Sequence, residues 1–316
     1  FATAGGKRIT VKEFYDMDFP SEFLNDPSAT NIDLQLTEAM LDMIRKNDIK
    51  SKAAKFVLEN NKIPFREMIL PYAKPSILYP IISAELFTDK KLAESHTVDF
   101  VEIDRNIEDP DEEMQEAALN SPEEGEEEQE EKSEKKKKAK KARLMITYID
   151  NLVIENLKKC CREVGMKLTA IDISPSALSK LVDFMKEDLP QYFVLVDYRM
   201  TSITSYLFAD YKHVFSLSKP IYSMPNENYA NEMAFFINDF SGIVSEAIQF
   251  FRSKYTDYKF DDVFITGDLD RFQSVESDLY GFMGLNVKML PVPESVSGVE
   301  QLDFNALAPL IGTMLK

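Results

Sequence analysis

The fold is decided by residues 191–222, QYFVLVDYRMTSITSYLFADYKHVFSLSKPIY. Three runs rich in β-branched and aromatic residues, 191–198, 203–210 and 213–222, are typical of strands. The segments that separate them are very short, and such short connections join antiparallel neighbours. We therefore predict a three-stranded antiparallel meander.

The chain after the meander alternates helical and strand patterns. Apolar residues recur at helical spacing from about 227 to 255, and a strand pattern follows at 261–267. A helix at about 270–283, a strand at 286–292 and a helix at 304–315 complete the series. The order β-β-β-α-β-α-β-α predicts an α/β lobe.

The first part of the chain has a comparable plan with an interruption. Gly5-Gly6 predicts a tight hairpin before a strand at 9–20. The elements predicted next are a helix at 33–47, strands at 53–60 and 64–70, a helix at 75–86, strands at 96–104 and 142–150, a helix at 151–164, a strand at 166–174 and a helix from Ser174. Two copies of this α/β plan predict the actin-like, ribonuclease-H-like fold.

Residues 108–141 depart from the rest of the chain. They hold 14 acidic side chains followed by 7 lysines, with almost nothing apolar to bury. The run Lys135–Lys141 would suit lipid headgroups or another protein. We favour the interpretation that this is a loop whose charges compensate each other, because the acidic block neutralises the lysines. We predict a solvated, disordered loop whose removal leaves folding nearly intact.

Composition excludes several classes of protein. The 37 basic and 54 acidic side chains give a net charge of −17, so the chain has no global attraction to nucleic acid or anionic lipid. Cys160 and Cys161, the two cysteines, are better suited to helix packing than to redox chemistry, and the two histidines, His96 and His213, cannot build a histidine-rich metal site. We find no 18-residue apolar run and no signal peptide pattern. These features predict a cytoplasmic location and no resident metal.

The common catalytic motifs are also missing. The sequence contains no Gly-x-Ser-x-Gly elbow, no GxxxxGK[ST] loop and no GxGxxG. No pair of carboxylates stands out for acid–base work; Glu67, Glu85 and Glu102 read as solvated positions. We predict no catalytic residue.

Six ordered segments resemble the PilM family of bacterial type IV pilus assembly proteins, a branch of the actin-like ATPases with FtsA-type architecture. They are GGKRITVKEF (5–14), KSKAAKFVLENNKIPFREMILP (50–71), ITYIDNLVIENLKKCCREVGMKLTAIDISPSALSKLV (146–182), FVLVDYRMTSITSYLFAD (193–210), VFITGDLDRFQSVESDLYGFMGLNVKML (263–290) and LAPLIGTML (307–315). The resemblance covers nearly the whole chain. It implies lobes at about 1–187 and 188–316, a small α/β subdomain inserted at about 71–165, and a first strand of the first lobe that would precede Phe1.

The resemblance also implies a nucleotide site, which this sequence alters. The family's second phosphate hairpin reads Asp-x-Gly-x-x-x-Thr. Asp197 matches its Mg²⁺-side carboxylate, and Thr201 or Ser202 could offer a hydroxyl. The glycine is absent, and Tyr198 and Arg199 place bulk where phosphate should pass.

The adenosine motif departs from the family as well. Its strand ends at Gly267, but Asp268, Leu269 and Asp270 follow where the family is rich in glycine. Two carboxylates beside a triphosphate repel it. We therefore expect binding of ATP and Mg²⁺ to be weak or absent.

In the family, the partner is the short cytoplasmic N-terminus of the inner-membrane protein PilN. It docks in a groove between the first lobe and the inserted subdomain. The groove walls implied here are the strands 64–70, 96–104 and 142–150 and the helix 151–164. On strand 142–150, Met145 and Tyr148 lie on opposite faces, so one of them should face the partner. The alternative is that the subdomain's own helices cover both faces of this strand.

Three functions follow from these observations. The favoured one is a scaffold of a type IV pilus machine, held at the inner face of the cell membrane by a PilN-like partner and in contact with other pilus components. An active actin-like ATPase would need glycine-lined phosphate loops. An FtsA-like membrane-tethered filament protein would need a terminal basic amphipathic helix, whereas FNALAPLIGTMLK (304–316) reads as a core helix.

Overall fold

The computed structural model describes residues 2–5, 8–15, 26–29, 31–58, 63–107, 141–199, 202–223, 230–254, 259–269 and 276–315. The chain falls into two compact units, which are Phe1–Pro64 with Ile149–Lys316, and Phe65–Tyr148. The second unit overlaps the predicted subdomain but starts and ends earlier along the chain. The division into lobes at 187 stays a prediction. The predicted loop, apart from Lys141, lies outside the described residues.

The strands and helices of the described residues were placed mostly as predicted. The strands are β1 (Ala2–Gly5), β2 (Arg8–Val11), β3 (Ala53–Leu58), β4 (Phe65–Pro71), β5 (His96–Ile107), β6 (Lys141–Asp150), β7 (Lys167–Ile173), β8 (Tyr192–Arg199), β9 (Ser202–Ala209), β10 (Lys212–Pro220), β11 (Asp262–Gly267), β12 (Asn286–Met289) and β13 (Val296–Ser297). The helices are α1 (Ile32–Lys46), α2 (Pro75–Leu86), α3 (Lys90–Ser95), α4 (Asn151–Glu163), α5 (Ser174–Phe184), α6 (Ala230–Lys254), α7 (Glu276–Met283), α8 (Gln301–Ala306) and α9 (Ala308–Met314).

The predicted meander is confirmed and forms three strands of a five-stranded sheet. Its strand order is β10-β9-β8-β11-β12. β9 is antiparallel to both β8 and β10, and β11 runs parallel to β8 and to β12. The face of β8 that carries Val194, Val196 and Tyr198 packs with α6, which contributes Phe236 and Phe240 to the same core.

The remaining strands of the first unit form two smaller sheets. One has the order β1-β2-β13, and the other pairs β3 with β7 in parallel. The hairpin predicted around Gly5 is confirmed, because β1 and β2 are antiparallel with Gly5 opposite Arg8. The strand predicted at 9–20 is too long: β2 ends at Val11, and the described residues 12–15 are exposed and outside any strand.

Two prolines explain why a helix and a strand in the second half of the chain differ from the predicted bounds. The helix predicted at 304–315 is divided into α8 and α9, and Pro309 lies at the start of α9. Pro309 has no N–H to donate to the carbonyl of Asn305, which accepts a hydrogen bond of 2.8 Å from Thr266 Oγ1 instead. The strand predicted at 286–292 ends at Met289, two residues before Pro291.

Helices α1 and α4 pack together beside β3 around buried apolar side chains. Leu36, Leu157 and Cys160 are fully buried there. Cys160 Sγ lies 3.2 Å from Met40 Sδ, and burial raises the pKa of its thiol. The packing role predicted for the two cysteines is confirmed, since Cys161 is 1% exposed.

The second unit contains a three-stranded sheet of order β4-β6-β5. β4 is antiparallel to β6, with Glu67 opposite Met145 and Ile69 opposite Arg143. One face of this sheet packs under α2. That apolar cluster contains Leu78, Ile82, Ala142, Leu144 and Ile146.

Candidate functional site

The candidate nucleotide site lies where β8 ends beside β11. Asp197 is opposite Thr204 in the hairpin and opposite Thr266 in the parallel pair. The residue as a whole is 5% exposed. Because side chains alternate along a strand, Asp197 and Arg199 share the face of β8 opposite to Tyr198.

Arg199 supplies positive charge to this site. Its Nε lies 3.0 Å from Asp197 Oδ1, and its Nη1 lies 3.6 Å from Asp268 Oδ1. The arginine side chain is 23% exposed, compared with 6% for Asp197 and 43% for Asp268. One guanidinium therefore lies within ion-pair distance of two carboxylates, Asp197 and Asp268. The repulsion predicted from Asp268 and Asp270 stays a prediction, because Asp270 lies outside the described residues.

Tyr198 does not obstruct the site, so that part of the prediction is wrong. The residue is 4% exposed and belongs to the core beneath α6. Its ring packs edge-on against Phe236, with 5.6 Å between ring centroids. Of the two bulky residues that replace the family's glycine region, only Arg199 faces the carboxylate of Asp197.

Gly267 occupies its position for a steric reason. Its φ is +106°, and a Cβ there would lie 2.0 Å from the carbonyl oxygen of Tyr198 and 3.0 Å from Asp197 Oδ1. The backbones of β8 and β11 stay close at the next residue, where the N–H of Asp268 donates to the carbonyl oxygen of Tyr198 at 2.9 Å. Only glycine fits this conformation and this contact.

The structure brings together some, but not all, of the residues predicted to hold a cofactor. Asp197 and Gly267 are neighbours, and Ser202 lies opposite Arg199 at the start of β9. Thr201, the fourth of these residues, lies outside the described residues, as does Asp270 of the altered adenosine motif. The role of these residues toward a nucleotide stays a prediction.

The carboxylate that the resemblance assigns to the Mg²⁺ side of a nucleotide site is part of an ion pair in this chain, and weak or absent binding of ATP stays a prediction. A Mg²⁺ ion requires oxygen ligands at close range in octahedral geometry. The oxygen of Asp197 that faces the site is instead within ion-pair distance of a guanidinium, which cannot be deprotonated in a protein. Among the described residues, no group of three or more His, Cys, Asp or Glu side chains could hold a metal ion.

A second polar cluster, which the sequence did not reveal, joins β3, β7, α5 and α9. Asp172 Oδ2 lies 2.5 Å from Lys180 Nζ and accepts a hydrogen bond from Thr313 Oγ1 at 3.2 Å. Lys55 Nζ donates to the carbonyl oxygen of Thr313 at 2.5 Å. Each of these charges has a partner, so we interpret the cluster as a structural contact that stabilises the packing of elements distant in sequence.

The residues predicted to bind the partner lie on β6, which is the middle strand of its sheet. A middle strand has no open edge, so an added peptide strand cannot pair with it. Met145 is 4% exposed. Tyr148 packs against Phe87 and His96, with ring centroids 5.1 Å and 5.6 Å away. Contact of either residue with a partner stays a prediction.

Glu67, on β4, is the one glutamate of this sheet with a strongly shifted pKa among the described residues. Burial raises the pKa of Glu67 to about 7, and the nearby positive charge of Arg143 opposes the shift. Arg143 is itself 8% exposed. This carboxyl group is therefore half-protonated near neutral pH, which makes the second unit sensitive to pH.

Across the part of the chain that the structure describes, no helix combines the length and the apolar character needed to cross a bilayer.

Comparisons with known proteins support the fold. No family model matches the sequence, and no curated protein matches it significantly. The chain is similar to one in the solved PilM–PilN type IV pilus biogenesis complex, at 12% identity, over 99% of this chain and 93% of that one, with a TM-score of 0.69.

Two further solved structures are more distant. One is a Bacteroides thetaiotaomicron protein with an actin-like ATPase fold and unknown function, at 10% identity over 88% of this chain and 80% of that one, with a TM-score of 0.46. The other is the cytoplasmic domain of EpsL, an inner membrane component of the Vibrio cholerae type II secretion system, at 9% identity over 89% and 81%, with a TM-score of 0.40.

The likeness to the PilM–PilN complex establishes the fold. The chain has the actin-like α/β fold predicted from the repeated meander-and-helix order, and its resemblance to PilM is confirmed at the level of structure. An identity of 12% carries neither activity nor partner from one protein to the other.

Proposed function

We propose that this chain is a cytoplasmic scaffold of a type IV pilus, or related secretion, assembly machine. It binds the cytoplasmic tail of a PilN-like inner-membrane protein, which holds it at the inner face of the cell membrane beside the other components. It works by binding and does not depend on ATP hydrolysis.

The observation that carries the proposal is the shared fold over 99% of the chain with a protein solved in a PilM–PilN complex. An assembly role is compatible with a chain in which neither the sequence nor the described residues hold a catalytic constellation. The binding role itself is a proposal, because fold similarity alone does not define function.

The geometry around Arg199 favours a scaffold over an ATPase. A working site of this fold needs a cation beside the carboxylate of the β8 hairpin, and here the guanidinium already lies 3.0 Å from Asp197. The same guanidinium also lies 3.6 Å from the carboxylate of Asp268, so both carboxylates are paired with Arg199. The charge that a metal would supply is thus part of the chain.

The membrane-tether alternative lacks a suitable helix in α9. Its residues Ala308, Ile311 and Thr313 are buried, and a Cβ on Gly312 would lie 2.0 Å from the carbonyl oxygen of Ala177 on α5. Of the large apolar side chains of α9, Leu310 is the exposed one, at 46%, and a single such residue does not make the broad apolar face of a membrane-surface helix.

We place the partner's tail on the open edge of β5. The sheet order leaves β4 and β5 as the edge strands of the described second unit. β5 is the longer strand and carries Asp99, Glu102 and Asp104 with Arg105, which leaves it net negative, whereas β4 carries Glu67 beside Arg66. An extended tail with Arg or Lys residues would gain backbone hydrogen bonds from the edge and faster association from the acidic side chains.

The test uses a synthetic peptide that spans the cytoplasmic N-terminus of the membrane protein encoded by the neighbouring gene. Fluorescence anisotropy should detect binding to the full chain. Glu102→Lys with Asp104→Lys should weaken it by about tenfold or more, because attraction is replaced by repulsion. The control is Glu38→Lys, an exposed acidic position on α1 in the first unit.

Hydrogen exchange distinguishes the edge from other sites. Bound peptide should slow exchange of amides in His96–Asp104 and leave the amides of the middle strand unchanged. Absence of binding to the wild-type chain would refute the scaffold proposal. Binding without protection of β5 would retain the partner and reject the proposed edge.

A further inference from the structure

The outer side of α2 carries an exposed apolar stripe that neither the fold nor the proposed function uses. Ile77 is 53% exposed and Ile81 is 42% exposed, and Pro80 and Ala84 are exposed as well. These four residues recur at spacings of three, one and three, which places them on one helical face. We define them as the α2 stripe.

Helix α2 is apolar on both of its sides. Its inner side contributes Leu78 (5% exposed) and Ile82 (0% exposed) to the core of the second unit. From Pro75 to Ala84 the helix has no charged residue. A surface helix normally carries charged residues on its exposed side. The exposed apolar stripe, in a stretch without charge from Pro75 to Ala84, therefore indicates a second packing partner.

We propose that the α2 stripe packs against the α2 stripe of a second copy of this chain, with the two helices antiparallel across a two-fold axis. The spacing of the stripe is palindromic. An axis midway between Pro80 and Ile81 pairs Ile77 with Ala84 of the second copy, and Pro80 with its Ile81. Each large side chain then lies opposite a smaller one, as interdigitating surfaces require.

Charges at the two ends of α2 select this orientation. Lys74 precedes the helix and Glu85 lies in its last turn. With 3.6 residues per turn, both project to the same side of the stripe, about 60° and 80° around the helix from Ile77. The two-fold axis brings Lys74 to within about 3 Å, along the helix axis, of Glu85 in the second copy. Both ends of the interface therefore gain opposite charges.

A lipid surface suits this stripe less well than a second copy. Helices that lie on membranes carry lysine and arginine around their apolar face, and α2 has none between its ends. The net charge of −17 opposes approach to anionic lipid. The stripe is also narrow, so the dimer should be weak and should depend on concentration.

Sedimentation of the full chain over a wide concentration range tests the proposal. The wild type should show a reversible monomer–dimer equilibrium. Ile81→Glu should weaken the dimer at least about tenfold, because the carboxylate loses water in the interface. The control is Leu34→Glu at a similarly exposed position on α1, 48% exposed, which should leave the equilibrium unchanged.

Charge reversal distinguishes antiparallel self-pairing from any other contact. Lys74→Glu and Glu85→Lys should each weaken the dimer, since each places like charges at both ends. A mixture of these two variants should associate as a heterodimer at least as tightly as the wild type, since every end then joins opposite charges. Ile81→Cys should form a disulfide-linked dimer under oxidation, and the buried Cys160 and Cys161 should not interfere.

Three outcomes would overturn the proposal. A chain that stays monomeric at every concentration has no such interface. A dimer that is unaffected by Ile81→Glu uses another surface. Loss of peptide or vesicle binding on Ile81→Glu, with self-association unchanged, would assign the α2 stripe to a different protein or to lipid.

Discussion

Arg199 Nε lies 3.0 Å from Oδ1 of Asp197, two residues earlier on the same strand. The carboxylate is almost fully buried, at 6% exposure of its side chain, so its charge has to be balanced inside the protein. The family resemblance implies a bound cation beside this carboxylate. This chain does so with its own guanidinium, and the consequences for stability and for ligand binding can be measured separately.

Removal of the guanidinium should destabilise the fold. Arg199→Met leaves the buried carboxylate of Asp197 without this partner, and we expect a loss of about 3 kcal/mol in the free energy of unfolding. Urea titration followed by circular dichroism measures it. Combining Arg199→Met with Asp197→Asn should restore part of the loss. A matched change at an exposed pair, Lys219→Met opposite Glu246, should cost less than about 1 kcal/mol.

This explanation would be wrong if the double variant lost as much unfolding free energy as the sum of the losses in Arg199→Met and Asp197→Asn. Such additive losses would mean that the two side chains are close together but not energetically coupled.

Gly267→Ala should be far more damaging than an alanine elsewhere. The new Cβ would lie 2.0 Å from the carbonyl oxygen of Tyr198, at a φ of +106° that L residues rarely adopt. We expect a loss of at least about 3 kcal/mol or failure to fold. Gly242→Ala is the control, since Gly242 lies within α6 and a Cβ there meets nothing within 4 Å. That change should stabilise the protein by about 0.5–1 kcal/mol. Equal effects at the two sites would reject the steric argument.

Stability of the second unit should fall as pH rises through neutrality. Burial raises the pKa of Glu67 to about 7 from the usual 4.5, so the folded state binds the proton more tightly than the unfolded state. The resulting stability is complete below pH 4.5 and is lost as pH rises through about 7. Glu67→Gln removes this titration. As the pH is raised from acidic to mildly alkaline, the free energy of unfolding of the variant should increase relative to that of the wild type by up to about 3 kcal/mol.

Hydrogen exchange of amides in β4 and β6 follows this effect locally. A difference between wild type and Glu67→Gln that does not change with pH would show that the carboxyl group titrates normally.

Much of the fold could be predicted because its signals are local. The runs on either side of Asp210-Tyr211 are too close to join anything but antiparallel neighbours, and the structure pairs Ala209 with Lys212 as expected. Helix α5 starts at Ser174 with a proline in its first turn, as the sequence indicates.

What the sequence could not show comes from pairings between distant segments. No local pattern shows that β6 lies between β4 and β5, so the position of Met145 and Tyr148 on a middle strand could not be predicted. The orientation of Tyr198 depends on α6, more than 30 residues later, which covers that face of β8. Period-two alternation does place Asp197 and Arg199 on one face, so opposite charges two residues apart on a strand were the signal that could have revealed the ion pair.

The most direct test of the central claim is calorimetry of Mg-ATP with the full-length encoded protein. We predict no saturable binding at nucleotide concentrations up to about 1 mM, because Arg199 supplies the cation that Asp197 would otherwise share with the nucleotide. Saturable binding with a Kd in the micromolar range would contradict it, and would show that the guanidinium moves aside for a working nucleotide site.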